Sequence, residues 1–177
     1  MQPPFRVGTG HDVHRLAEGH ALVLGGVHVP SAVGFDTHSD GDVLSHALVD
    51  ALAGAIADGD LGTHFPEDDP EAQDARSLDF IRHLVQRIRA QDYEIANVDS
   101  FVVLGTTRLR PHLDGMRRDL ADALGVDVQT GLGEGAIQQR PRREGRGPGV
   151  RGLGNGADLP VRRLTPAFFT SSRHRRS

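Results

Sequence analysis

The first 128 residues of this 177-residue chain predict an α+β fold, a mixed β-sheet with helices packed on one face. Three observations carry that expectation. Short apolar runs bounded by Gly and Pro recur along the chain. Leu24-Gly25-Gly26-Val27 reads as a tight hairpin. Three longer windows place apolar residues at helical spacing.

Residues 5–9 predict a short strand, followed by Gly10-His11-Asp12-Val13-His14 as a loop. Residues 21–24 and 27–29 predict a hairpin, because Gly25-Gly26 supplies the positive φ angles a two-residue turn needs. Residues 30–36 are expected to connect onward as a loop. The helix around which the chain is organised comes next. Val43, Leu44, Ala47, Leu48, Ala51, Leu52, Ala55 and Ile56 recur at i, i+1, i+4 and i+5. Ser39 or Asp40 is the expected cap at its start, and Gly59 is expected to end it in the left-handed conformation. Asp42, His46 and Asp50 are four apart and line one polar stripe beside the apolar one, which keeps His46 out of full solvent. Residues 59–70 predict a loop. Ser77 is expected to cap a second helix carrying Leu78, Ile81, Leu84, Val85 and Ile88. Residues 97–104 predict a strand. Pro111 opens a third helix with Leu113, Met116, Leu120 and Leu124, and Gly125 ends it. Residues 126–128 begin what reads as one more strand, and there the pattern stops.

Composition narrows the function classes. The chain has no cysteine, which removes disulfide frameworks and thiolate metal sites and points to the cytoplasm. No apolar run approaches the roughly 20 residues of a membrane span, and no basic region followed by an apolar run opens the sequence. Ten His residues are many for this length, and His is the commonest nitrogen ligand and proton carrier.

The chemistry falls on three loops and one helix. In an extended segment residues i and i+2 point the same way, so Asp12 and His14 converge on one ion. His46 from the organising helix completes two nitrogens and one oxygen, which leaves a fourth tetrahedral position open in the manner of a catalytic zinc site. The imidazoles favour zinc; spacing alone leaves manganese or iron open. His38-Ser39 precedes the helix start, where free N–H groups and the dipole favour an anion such as phosphate. Asp58-Gly59-Asp60-Leu61-Gly62 sets a carboxylate between glycines, which suits close approach to a small hydroxylated ligand; a plain helix end and turn is the alternative.

Taken together, Gly8-x-Gly-x-Asp12-x-His14, Leu24-Gly-Gly-Val, His38-Ser-Asp-Gly-Asp42-x-x-x-His46-Ala-x-x-Asp50-Ala, Gly59-Asp-Leu-Gly62 and Phe65-Pro66-x-x-Asp69-Pro70 resemble the 2-C-methyl-D-erythritol 2,4-cyclodiphosphate synthase family over about residues 6–128. The resemblance implies a homotrimer with active sites between subunits. The Arg-rich tail has no aromatic platform beyond Phe168-Phe169, and no nucleic-acid or membrane partner is expected. The implied reaction is that of a phosphorus–oxygen lyase of non-mevalonate isoprenoid synthesis. It cyclises 4-diphosphocytidyl-2-C-methyl-D-erythritol 2-phosphate and expels CMP. Asp12, His14 and His46 become the zinc ligands, in contact with the substrate as well. His38 and Asp60 take catalytic roles. His38 and Ser39 contact the diphosphate, and Asp60 the methylerythritol hydroxyls. Gly62 and Phe65 complete that side of the pocket, while Leu104, Arg108 and Leu109 hold the cytidine. Magnesium or manganese accompanies the substrate diphosphate, whose oxygens suit a hard cation.

Two departures from the family pattern stand out. Its cytidine loop ends in Pro-Lys, where this chain has Thr107-Arg108, losing a rigid φ and replacing a point charge with a planar fork. After Val128 the family continues with a Lys-Ala-Thr-Thr strand and a Gly-Arg-x-Glu-Gly loop, where this chain has Gln129-Thr-Gly-Leu-Gly-Glu-Gly and then an Arg, Gly and Pro-rich run; the family's Thr-Thr-x-Glu segment and its active-site arginine find no match. Residues 1–128 hold 10 Arg against 21 acidic residues, a charge of −11, whereas residues 129–177 hold 10 Arg against 3, a charge of +7, with nine Gly and four Pro. The domain is therefore expected to span residues 1–128, with residues 129–177 a divergent Arg/Gly/Pro-rich segment read in a shifted frame, poorly ordered past about residue 140, and the second metal site incomplete. A zinc- and nucleotide-binding relic without turnover is the alternative reading.

Overall fold

The computed structural model describes residues 5–37, 39–66, 75–105, 107–129, 131–133, 137–140 and 167–169. In chain order these form β1 (Arg6–Gly8), β2 (Leu16–Glu18), β3 (Val23–Leu24), β4 (Val27–His28), β5 (Val33–Phe35), α1 (Val43–Ala55), α2 (Leu61–His64), α3 (Ser77–Ala90), β6 (Ser100–Val103), a 3-10 turn (Arg110–His112), α4 (Leu113–Leu124), β7 (Ile137–Arg140) and β8 (Ala167–Phe169). The class is α+β, as expected. Among the described residues the strands pair in four two-stranded ladders: β1 with β8, β2 with β5 and β3 with β4 antiparallel, β6 with β7 parallel.

Helix α1 sits at the centre. Eleven of its residues are buried, because almost every position except Asp50 and Gly54 is apolar or small. A helix apolar on nearly all sides needs neighbours on all sides, and α3, β1, α2 and β8 supply them. Its start is capped by Asp42, whose carboxylate accepts from the Ser45 N–H, and not by Ser39 or Asp40. The helix ends at Ile56, and Ala57 as well as Gly59 takes a positive φ in the turn that follows.

Asp42 also explains the Gly25-Gly26 turn. Both glycines have positive φ, and both backbone N–H groups donate to its carboxylate, at 2.9 and 2.7 Å. The Ser45 N–H and hydroxyl add two more bonds at 3.1 and 2.7 Å. Thus one fully buried carboxylate ties the hairpin to the first turn of α1. Burial pushes that carboxyl above its ordinary range, against the pull of its four donors.

Several expectations require correction. Residues 33–35, read as part of a loop, form β5 and pair with β2, Leu16 opposite Phe35. Residues 61–64 form the short helix α2, with Asp60 as its cap. Residues 126–128 are not a strand but lead into a turn, because Gly125 closes α4 in the left-handed conformation and the chain bends again at Val128. The apolar pattern resumes beyond it: Leu132 and Ile137 are buried in the common core, and β7 lies beside β6 with Ser100 opposite Ile137. The expectation of poor order past residue 140 falls, apart from 167–169, outside the described residues. No helix among the described residues is long and apolar enough to cross a membrane.

Candidate metal centre

The segment after β1 runs directly over α1, and two glycines make that possible. A Cβ on Gly10 would lie 1.7 Å from the Ala47 carbonyl oxygen, and one on Gly8 1.8 Å from that of Ala51. Only a residue without a side chain allows such an approach. It sets Asp12 and His14 against the turn of α1 that carries His46.

Asp12, His14 and His46 converge, with one ligand atom from each lying within 4.8 Å of the others. Asp12 Oδ2 is 3.1 Å from His46 Nδ1 and 3.2 Å from His14 Nε2. Its other oxygen accepts from the Val13 N–H at 2.7 Å. The imidazoles meet edge to face at 5.3 Å, and His14 stands edge-on to Phe35. His46 is buried, the other two half-buried. Burial pulls Asp12 upward, but the hydrogen bond from His46 and the fields of both imidazoles hold it below the usual carboxylate range. Burial likewise lowers His46, and the bond to Asp12 more than reverses it. Carboxylate and imidazole each favour the charged form of the other. A divalent ion needs the carboxylate ionised and the imidazole neutral, so it would take the place of the His46 proton, and its uptake weakens as the pH falls through the raised His46 pKa.

Next to this triad, Asp50 Oδ1 accepts from the Leu61 N–H at 2.8 Å and so fixes the start of α2. Asp60 caps that helix through Oδ1, which accepts from the Thr63 N–H and hydroxyl. Gly62 lies within α2, and Phe65, just after it, stacks on Phe80 at 4.0 Å. Ser39 Oγ accepts from the Gly41 N–H in the turn before α1. His38 lies outside the described residues.

The sequence pattern of the YgbB family matches residues 5–131. The chain belongs to that family. A relative in Chlorobaculum tepidum, 2-C-methyl-D-erythritol 2,4-cyclodiphosphate synthase, is 45% identical over 124 residues, covering 70% of this chain and 79% of its own. The protein of that name in Salinibacter ruber is 52% identical over 120 residues, covering 68% and 76%. A solved structure of 2C-methyl-D-erythritol-2,4-cyclodiphosphate synthase in a CDP-bound form superposes with a TM-score of 0.77 at 30% identity, over 94% of this chain and all of that one.

Within this YgbB-family chain, the expected cytidine loop stands on a separate element. Leu104 and Leu109 are buried and Arg108 is exposed. No hydrogen bond or ion pair between described residues joins this loop to the triad. Sequence reasoning missed what holds it. Gln139 of β7 accepts from the Leu109 N–H at 2.9 Å and donates to the carbonyls of Leu104 and Thr107 at 3.1 and 2.6 Å. The Thr107 and Ser31 hydroxyls are bonded at 2.9 Å. In place of the rigid proline, four bonds hold the loop, three to Gln139 and one to Ser31. Nothing in the Arg-rich setting of Gln139 announced that role. Ser77 was misread: α3 has no side-chain cap, and the Ser77 hydroxyl bonds Asp40 and His46 instead.

Proposed function

We propose that this chain is a 2-C-methyl-D-erythritol 2,4-cyclodiphosphate synthase, cyclising 4-diphosphocytidyl-2-C-methyl-D-erythritol 2-phosphate with release of CMP. The observation that supports this most is the convergence of Asp12, His14 and His46 in a chain of this family. A carboxylate oxygen and two imidazole nitrogens suit zinc and leave room for a fourth ligand. Zinc bound there supplies Lewis-acid stabilisation of the charge that develops on the diphosphate.

The remaining work belongs to the chain itself. Asp12, His14 and His46 hold the metal, and the imidazoles face the substrate. His38 and Ser39, ahead of α1, bind diphosphate oxygens. Asp60, its Oδ1 engaged by Thr63, presents Oδ2 to a substrate hydroxyl. Gly62 lets the backbone close on the methylerythritol, and Phe65 walls it. Leu104, Arg108 and Leu109 receive the cytidine, with magnesium or manganese on the diphosphate oxygens. Catalysis is then positioning and charge neutralisation, with no covalent intermediate on the protein. Incubating the purified chain with the substrate and following phosphorus resonances tests this: cyclic diphosphate and CMP should appear together. Zinc and CMP binding without product would favour the relic reading, which the Thr107-Arg108 departure and the unmatched Thr-Thr-x-Glu segment support.

We assign the cytidine loop of one subunit to the metal centre of the next, so nucleotide binding requires a homotrimer. Calorimetric titration with CMP should give about tenfold weaker binding to Arg108→Ala, the loss of a charge-assisted phosphate contact. A monomer that binds CMP as tightly as the oligomer contradicts the assignment.

We also propose that a shifted-frame reading of the family's ending lies within residues 129–177, on the charge swing and the Arg, Gly and Pro composition, while β7 and the family match to residue 131 carry the domain past Val128. A one-base correction near codon 129 should restore a Lys-Ala-Thr-Thr-like strand and a Gly-Arg-x-Glu-Gly loop. If neither alternative frame does so, the proposal fails.

A further inference from the structure

His46 is held through both ring nitrogens. Nδ1 faces Asp12, and Nε2 lies 2.8 Å from Ser77 Oγ. The Ser77 hydroxyl makes a short bond to Asp40 Oδ1, and the Ser77 N–H donates to Asp40 Oδ2 at 2.9 Å. Asp40 Oδ1 also accepts from the Asp42 N–H at 3.3 Å. Ser77 is fully buried at the first turn of α3, 31 positions from His46, so this contact is tertiary and not a helix cap.

The direction of these bonds follows from what each group has to offer. An ionised carboxylate only accepts, so the Ser77 hydroxyl gives its one proton to Asp40. Its oxygen is left as an acceptor, and Nε2 of His46 must be the donor. In the charged ring Nδ1–H donates to Asp12 and Nε2–H to Ser77; when a metal ion displaces one proton, the Ser77 acceptor holds the other on Nε2 and leaves the lone pair on Nδ1, the nitrogen that faces Asp12. His14 is set by the same logic with its nitrogens exchanged. Its Nδ1 donates to the Gly41 carbonyl at 3.1 Å, and Nε2 faces Asp12. Both imidazoles therefore present a lone pair to one point, and each is anchored from behind.

We propose that Ser77 and Asp40 are positioning residues that fix the tautomer and ring orientation of His46 for metal binding. The proposal rests on the metal reading above. The test compares wild type, Ser77→Ala, Asp40→Asn and Ser77→Thr for zinc affinity by chelator competition. It also reads the nitrogen shifts of His46 in the metal-free protein at alkaline pH, where the ring is neutral. Zinc affinity should fall about 10- to 100-fold in Ser77→Ala and Asp40→Asn and largely return in Ser77→Thr. Wild type should populate the Nε2–H tautomer more than Ser77→Ala, in which only Asp12 is left to draw the proton, to Nδ1. If Ser77→Ala does not fold, Asp40→Asn carries the comparison. Variants that bind zinc within about twofold of a zinc-binding wild type, or an Nε2–H population no higher in wild type than in Ser77→Ala, overturn this proposal and leave the metal reading standing. A wild type that takes up no zinc overturns both.

Discussion

Asp42→Ala should lower the stability of the folded chain by about 3–5 kcal/mol, the largest stability effect expected of any single side chain here. The carboxylate is fully buried and accepts four bonds, from the Gly25, Gly26 and Ser45 N–H groups and the Ser45 hydroxyl. Truncation leaves those donors buried without a partner and opens a cavity where the carboxylate stood. The hairpin and the first turn of α1 lose their common anchor. For a domain whose whole stability is of the order of 5–15 kcal/mol, this approaches unfolding. Thermal unfolding should show a midpoint lower by roughly 10 °C or more. A change of less than about 1 kcal/mol in denaturant unfolding would mean that water replaces the lost acceptor and that the anchor matters little.

Gly10→Ala should disable the proposed metal centre without touching any of its three proposed ligands. The new Cβ would fall 1.7 Å from the Ala47 carbonyl oxygen and 2.8 Å from the Ala51 nitrogen, both backbone atoms of α1 that cannot turn aside. The segment carrying Asp12 and His14 has to lift from the helix that carries His46. Overpacking of this kind costs about 1–3 kcal/mol. Displaced ligands should add a loss of zinc affinity of about tenfold or more. Chelator competition on the refolded variant checks it, with Gly54→Ala as the control, since a Cβ at Gly54 meets nothing within 4 Å. Equal zinc affinity in Gly10→Ala and wild type would show that the approach of the two backbones does not set the ligand geometry.

Much of this was legible before any coordinates. Helix α1 announced itself through paired apolar residues at helical spacing, and the hairpin through Gly25-Gly26. The convergence of Asp12, His14 and His46 was readable because ligand chemistry restricts residue type so strongly. What escaped were features decided by tertiary contact. Asp42 was read as one member of a polar stripe; its burial depends on two backbone N–H groups contributed by a hairpin 16 and 17 residues away. Ser77 looked like a cap because serine before an apolar run usually is one, yet Asp40 and His46 claim its hydroxyl. Strands β2 and β5 have three residues each, too short for alternation to reveal them. Strand β7 was missed because a run of Gln and Arg gives no strand signal; its pairing with β6 and the buried Ile137 hold it in place.

The central claim is that Asp12, His14 and His46 form one metal site. Elemental analysis of the purified, dialysed protein tests it most directly, with wild type and His46→Ala measured side by side. The account predicts close to one zinc per subunit in wild type and essentially none in His46→Ala. A His46→Ala protein that keeps its zinc would contradict it.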